Sequence, residues 1–185
     1  MDALRRSLSV IALVAAVALS SACRDGNVRG PFRNRYLDAE TRQPISGVVF
    51  LAVWHTIRPN LVSGPSEPFY EAREVVSGAD GRVEIPRLTG PVFRFGLDVR
   101  FYDFAPGGYV NERAQVTPPD AETYVNPTVT FMKKLKTHEA RCEAMRRPSL
   151  IPSAVGAAPI EKMRVYMTAL NRESDQLNCG SLNQE

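Results

Sequence analysis

The sequence has 185 residues, of which 44% are hydrophobic and 23% are charged, and its formal net charge at pH 7 is +3. These values are normal for a globular protein and leave room for one domain with short extensions. The charge gives no support to nucleic-acid binding, because much of it lies in the N-terminal segment.

That N-terminal segment is typical of a secretory signal peptide. Arg5 and Arg6 precede an apolar stretch from Val10 to Leu19, and small residues follow it up to Cys23. The apolar stretch is too short to cross a bilayer as a mature anchor. We therefore predict a signal peptide over residues 1–22 and an exported protein.

Two interpretations of the cleavage site compete. Ser20-Ser21-Ala22 fits the small-x-small rule of ordinary signal peptidase, whereas the same stretch ending in Cys23 resembles the lipobox of bacterial lipoproteins. The usual lipobox has an apolar residue where this sequence has Ser20. We favour lipidation of Cys23, which predicts an outer-membrane lipoprotein of the cell envelope, facing the periplasm or the surface. The alternative is an ordinary exported protein with a leftover thiol. The polar, Gly-rich residues 23–31 are typical of a tether.

Export changes the expected state of the other two cysteines. With Cys23 lipidated, Cys142 and Cys179 remain in an oxidising compartment, where we predict that they pair. The alternatives are two free buried thiols or an intermolecular bridge. A metal site is disfavoured because it needs about four ligands, and the sequence has only two histidines. Neither a metal nor another cofactor is predicted.

The middle of the chain alternates short apolar segments with turn signals. Before the turn "DAETRQP", the segment "FRNRYL" is a candidate strand, and after Gly47 the run "VVFLAVW" is typical of a buried strand. "FYEAREVV" follows a proline-containing loop, and Asp80-Gly81 predicts a hairpin turn before "VEIP". Every second residue from Phe93 to Phe101 is apolar, and "TVTFMKKL" is the last predicted strand. The predicted core consists of Val49, Leu51, Val53, Val83, Ile85, Phe95, Leu97, Val99, Val129 and Phe131.

The pattern becomes helical from Thr137 onward. "THEARCEAMRRP" predicts a short helix that stops before Pro148, and "PIEKMRVYMTALNRES" predicts a second helix that starts at Pro159. One apolar stripe is too little for a separate domain, so this extension must dock on the sheet, be held by the disulfide, or both. The stripe consists of Ile160, Met163, Met167 and Leu170.

Two segments of the chain resemble a known family. "DAETRQPISGVVFLAVW", followed later by "SGADGRVEIP", is similar to the carboxypeptidase-regulatory-like domains, which are transthyretin-like (prealbumin-like) sandwiches of about seven strands. This sequence departs from the family pattern at Arg42, where glycine is usual, at Val48 and at Ser77-Gly78. The resemblance covers residues 32–135. It implies a mainly β, seven-stranded antiparallel sandwich, to which residues 136–185 add a short helical extension.

The resemblance also implies a module of exported or surface proteins that is usually not catalytic. Within the motif, Pro44 and Gly47 are predicted to shape the turn. His55, after Trp54 at a strand end, would be a base or ligand, but the sequence places no nucleophile or second histidine beside it. Aromatic side chains at strand ends would stack on a sugar or a partner protein, or, as such residues mostly do, fill the core or plug loops. The candidate ligand-binding residues are Trp54, His55, Tyr70, Tyr102 and Tyr109.

These observations predict a lipid-anchored, non-enzymatic module of the cell envelope with a structural or protein-interaction role. The alternative is an envelope protein that binds a small molecule or a glycan. The predicted partners are the membrane, through the N-terminal lipid, and an unknown envelope protein or glycan. An exposed aromatic patch with convergent polar groups would favour the binding protein, whereas polar strand faces would favour the structural module.

Overall fold

The computed structural model describes residues 28–58, 66–90, 96–111, 128–146 and 159–179. The signal peptide, Cys23, most of the tether and Phe95 of the predicted core lie outside these residues. In the described part, the strands are β1 (Phe32–Asp38), β2 (Val49–Ile57), β3 (Phe69–Val76), β4 (Arg82–Ile85), β5 (Gly96–Phe104), β6 (Tyr109–Val110) and β7 (Thr128–Lys134). The helices are α1 (His138–Met145) and α2 (Arg164–Leu177), and a 3-10 helix over Ile160–Met163 leads into α2.

The strands form two sheets. Sheet A has the order β4-β1-β7-β6, and sheet B has the order β3-β2-β5. All neighbours are antiparallel except β1 and β7, which run parallel. The prediction of a fully antiparallel sandwich is therefore wrong at this pair, because side-chain alternation tells which face of a strand is buried but not the direction of its neighbour. The coarser prediction, a mainly β fold of two sheets with a short C-terminal helix, is confirmed.

The main core lies between the two sheets and is largely aromatic. Phe101 of β5 lies edge-on to Phe32 of β1, with 4.6 Å between ring centroids, and stacks on Phe50 of β2 at 5.6 Å. Large buried rings supply much of the apolar area that stabilises a small domain. Other buried members of this core are Tyr36, Trp54, Val83, Ile85, Leu97, Val99 and Met132.

A second apolar layer lies on the outer side of sheet B, under α2. Because β2 is buried on both faces, its sequence is a continuous apolar run rather than an alternating one. Predicted core residues Val49, Leu51 and Val53 are therefore buried, but beneath the helix rather than between the sheets. The helix α2 contributes Tyr166 and Leu170 to this layer, and the preceding 3-10 helix contributes Met163.

The start of the C-terminal helix differs from the predicted stripe. Ile160 is 67% exposed, whereas Tyr166 is fully buried. Ile160 lies in the 3-10 helix, which turns more tightly than an α-helix, so it falls off the apolar face. The α-helix is held at its first turn by the Glu74 carboxylate of β3, which accepts hydrogen bonds from the backbone N–H groups of Val165 and Tyr166, both at 2.8 Å.

Strand β7 has the opposite register to the predicted one. Val129 and Phe131 are 50% and 44% exposed, and Met132 is buried in their place. The inward face of β7 carries Thr130, whose hydroxyl accepts a hydrogen bond from the Asn34 amide of β1 at 2.9 Å. A shift of one residue moves every side chain of a strand to the other face, so the prediction that Val129 and Phe131 are core residues is wrong.

The two segments that carry the family resemblance contact each other. Two residues before the first segment, the backbone N–H of Tyr36 donates to the carbonyl of Gly81 in the second at 2.9 Å. The Ser77 hydroxyl donates to the carbonyl of Ile45 and accepts from the N–H of Val48, both at 2.9 Å. The motif residues therefore form one hydrogen-bonded corner of the sandwich.

The first motif turn is organised by Asp38. Its carboxylate accepts hydrogen bonds from the backbone N–H groups of Thr41 at 2.7 Å and Glu40 at 2.9 Å, and these bonds lower its pKa. Arg42 follows with a φ of +61°, in the left-handed region that favours glycine. The family's usual glycine at this position therefore has a physical reason in this turn.

The C-terminal extension both docks on sheet B and is covalently held. The predicted disulfide between Cys142 and Cys179 is present and joins α1 to the residue that follows the C-cap of α2. Arg141 of α1 forms an ion pair with the buried Glu173 of α2. Glu173 also accepts a hydrogen bond from the backbone N–H of Gly107 at 3.0 Å, which ties the helix pair to the turn after β5.

Candidate functional site

The candidate ligand-binding residues do not converge on one site. Trp54 is buried between the sheets, where its indole Nε1 donates to the carbonyl of Val28 at 2.8 Å. Tyr102 is buried on the other face of sheet B, with its ring 6.5 Å from that of Tyr166, and burial raises its pKa to about 12. Tyr70 is partly buried against the core between the sheets. These rings fill the core or its margins, and none of the three belongs to an exposed aromatic patch.

Tyr109 lies on the short strand β6 of sheet A and is partly buried against the core between the sheets. Its hydroxyl hydrogen-bonds to the Asp38 carboxylate, and the Lys134 ammonium lies 5.4 Å from its ring centroid. Burial, and then the bond to Asp38, raise the pKa of Tyr109. This residue therefore links the turn after β1 to the edge of sheet A.

His55 is the candidate residue with the most unusual surroundings. It is only 1% exposed, its Nδ1 lies 3.2 Å from the carbonyl oxygen of Glu67, and its Nε2 has no hydrogen-bond partner within the described residues. Nearby, Arg100 forms an ion pair with the Glu67 carboxylate and lies 3.7 Å from Asp98. Burial lowers the pKa of His55, so the imidazole is neutral at pH 7.

This arrangement does not resemble a hydrolytic centre. His55 makes its hydrogen-bond contact with a backbone carbonyl rather than with a hydroxyl or thiol. The other histidine, His138, lies in α1, where its Nε2 is 2.6 Å from the carbonyl of Leu177. Each histidine is thus engaged in a separate local contact, and neither is paired with a nucleophile in the part of the chain that the structure describes.

Two concave surfaces flank the C-terminal helices. A groove of about 560 Å³ runs between α2 and the adjacent end of sheet B, and includes Val76, Val165 and Arg172. A second one, of about 530 Å³, lies over the disulfide beside His138 and Arg146. Both are open to solvent, and neither contains any of the five predicted ligand-binding residues.

The most distinctive exposed surface is the outer face of sheet A. Leu37 of β1 lies beside Phe131 of β7, and Arg35 lies beside Val129, so apolar side chains form the middle of this face. The guanidinium of Arg42 lies over the Phe131 ring, 4.3 Å from its centroid. Cationic side chains surround these apolar groups: Arg33, Arg35, Arg42, Arg82 and Lys133.

Sequence reasoning did not find this surface because it placed Val129 and Phe131 in the core. The alternation of "FRNRYLD" indicates that Arg33 and Arg35 point outward. The partner strand and its register come only from tertiary contacts. The polar pair formed by Asn34 and Thr130 is what identifies the inward face of β7.

Within the described ranges, the structure has no helix that is long and apolar enough to cross a membrane. The same residues contain no group of three or more His, Cys, Asp or Glu side chains that could hold a metal ion.

Comparison with known proteins gives little further information. No protein-family model matches the sequence, and no curated protein sequence matches it. Among solved structures, the "Structure of the Streptococcal ancillary pilin" is similar to this chain at 22% sequence identity with a TM-score of 0.34. The similarity covers 59% of this chain and 30% of the pilin chain. A likeness of this extent carries no argument about the function of the present chain.

Proposed function

We propose that this protein is a lipid-anchored, non-enzymatic module of the cell envelope with a structural or protein-interaction role. The observation that carries the proposal is the disulfide between Cys142 and Cys179. Disulfides persist mainly in oxidising compartments, so this bond supports export. It also uses two of the three cysteines of the sequence and leaves Cys23, at the end of the leader-like segment, for a lipid.

We propose further that the sandwich is a carboxypeptidase-regulatory-like, prealbumin-like domain. The support comes from the contact between the two motif segments, in which Ser77 hydrogen-bonds to Ile45 and Val48. It also comes from the left-handed backbone at Arg42, where that family has glycine. Both features concern the positions on which the sequence resemblance rests.

The binding-protein alternative has less support. An envelope protein that stacks a sugar or a small ring on aromatic side chains needs these side chains exposed and close together. Trp54 and Tyr102 are instead buried on opposite faces of sheet B. Within the described residues, the two open grooves beside the helices offer concave surfaces to such a ligand.

Lipidation is tested by metabolic labelling with a radioactive or clickable fatty acid, combined with membrane fractionation. We expect the wild-type chain to be labelled and to fractionate with membranes. The Cys23→Ser variant should be unlabelled and released. A Cys142→Ser/Cys179→Ser double variant is the matched control, because it removes both other thiols and should still be labelled. A wild-type chain that is soluble and unlabelled would establish ordinary export instead.

A further inference from the structure

We propose that the outer face of sheet A docks on anionic phospholipid headgroups and holds the domain against the membrane surface. The inference rests in part on the proposed lipid anchor. The face combines an exposed apolar middle with a cationic periphery, which is the composition of surfaces that insert shallowly into an anionic bilayer.

The middle of this face carries apolar residues, whereas the solvent-exposed face of a sheet usually carries polar ones. Val129 and Phe131 are 50% and 44% exposed, and they lie next to Arg35 and Leu37 in the parallel register of β1 and β7. Exposed large apolar side chains that lie together mark an interaction surface more often than single ones do. The strand geometry thus presents a ring and a branched aliphatic side chain to a partner.

Arginines are more numerous than carboxylates on this face within the described ranges. Arg35 lies directly opposite Arg82 in the antiparallel pair of β1 and β4, where like charges repel, and its Nε donates a hydrogen bond to the backbone carbonyl of Asp80 at 3.3 Å. The Arg82 side chain is 71% exposed and 3.7 Å from Asp80, while Arg33 pairs with Glu84. Among the described residues, neither Arg35 nor Arg42 has a carboxylate partner, so the arginines of this face outnumber the carboxylates beside them and the face attracts anions.

The position of the face relative to the proposed anchor favours a membrane over a soluble partner. Residues 23–31 reach at most about 30 Å when fully extended, and they lead directly into β1, a central strand of sheet A. A lipid at Cys23 would therefore keep this sheet close to the headgroups at a high effective concentration. A weak affinity of the face would then be enough to orient the domain.

The test measures sedimentation of the exported full-length Cys23→Ser chain with phosphatidylglycerol and phosphatidylcholine vesicles. The substitution removes the proposed lipid anchor. The ratio of the affinity for phosphatidylglycerol vesicles to that for phosphatidylcholine vesicles therefore measures the preference of the protein surface for anionic headgroups. We expect at least about tenfold tighter binding to phosphatidylglycerol, lost at high salt. Adding Arg35→Gln and Arg82→Gln should weaken that binding about 25-fold, since each basic side chain near an anionic surface contributes about fivefold.

Matched controls lie on the opposite side of the molecule. Arg164→Gln with Arg172→Gln removes the same charge from exposed positions of α2 and should weaken binding less than about threefold. Phe131→Ser should weaken binding about fivefold to tenfold through lost apolar burial. Val165→Ser, at another exposed apolar position, should leave the affinity nearly unchanged. Urea unfolding of each variant separates lost binding from lost folding.

Any of three results of the vesicle assay would overturn the inference. They are equal binding to both vesicle types, equal weakening by the face variants and their controls, and unchanged binding after Phe131→Ser. A photo-crosslinker at Phe131 that captures an envelope protein, without any preference for phosphatidylglycerol, would also overturn it. These outcomes are separate from the fatty-acid labelling of Cys23, because the vesicle assay uses a chain that cannot be lipidated there.

Discussion

Gly81 lies where the two motif segments meet, and replacing it with alanine tests whether that contact stabilises the sandwich. Gly81 has a φ of +73°, and a Cβ atom added to it would lie 2.5 Å from the carbonyl oxygen of Tyr36. This oxygen already accepts a hydrogen bond from the N–H of Ile45 at 3.0 Å. Alanine at this position must therefore displace backbone rather than the end of a flexible side chain.

Gly47 is the matched control. Its φ of +82° is similar, but a Cβ atom there would meet nothing within 4 Å. A left-handed backbone costs a residue other than glycine about 1–2 kcal/mol, and the lower entropy of the unfolded chain offsets about 0.4–1 kcal/mol of this. We therefore expect Gly47→Ala to lower the free energy of unfolding by about 1 kcal/mol. Gly81→Ala should lower it by about 1–3 kcal/mol more, the usual cost of a forced backbone shift.

Both variants are measured by urea unfolding, with the fluorescence of Trp54 as the signal. Trp54 is the only tryptophan of the chain and is fully buried, so its emission reports the core. The slope of unfolding free energy against urea must stay unchanged for the comparison to hold. If the two variants differ by less than about 0.5 kcal/mol, the close contact at Gly81 does not carry the stability that we assign to it.

Two further predictions concern the disulfide and the buried histidine. Reducing the bond between Cys142 and Cys179, which are 37 positions apart, should lower the free energy of unfolding by about 3–4 kcal/mol. The free energy of unfolding is measured by urea unfolding in the presence and in the absence of reductant. A difference below about 1 kcal/mol would mean that docking of α2 alone holds the extension in place. Burial lowers the pKa of His55, so on acidification the unfolded chain binds a proton at this histidine before the folded chain does. As the pH decreases from about 6.5, the free energy of unfolding should therefore decrease, by at most about 1.4 kcal/mol per pH unit. Urea unfolding at several pH values should show that the free energy of unfolding of His55→Gln depends less steeply on pH than that of the wild type. Equal pH dependence in the two chains would contradict the lowered pKa of His55. Burial raises the pKa of Asp103 to about 6, and this group changes stability in the opposite direction in both chains.

Most of the strands and both helices could be predicted because each depends on a local pattern, but the two-residue strand β6 was not predicted. "FYEAREVV" predicts β3 over the residues that form it, and the apolar run after Gly47 predicts a strand that is buried on both faces. The pairing of Cys142 with Cys179 was expected from the predicted export and the predicted lipidation of Cys23, and the disulfide is present. The sequence also determined the tight turn at Gly81, since a positive φ selects glycine. The predicted hairpin at this turn is wrong, because β3 and β4 lie in different sheets and do not pair.

Only the tertiary structure decided which faces and which neighbours these elements have. The alternation of β7 is compatible with either face pointing inward, and the hydrogen bond between Asn34 and Thr130 selects the one that exposes Val129 and Phe131. The aromatic residues at strand ends looked like candidates for a ligand site, yet the packing of α2 on sheet B covers Tyr102 and the opposing sheet covers Trp54. Burial and proximity arise from contacts between residues that are distant in the chain, and a local pattern does not contain them.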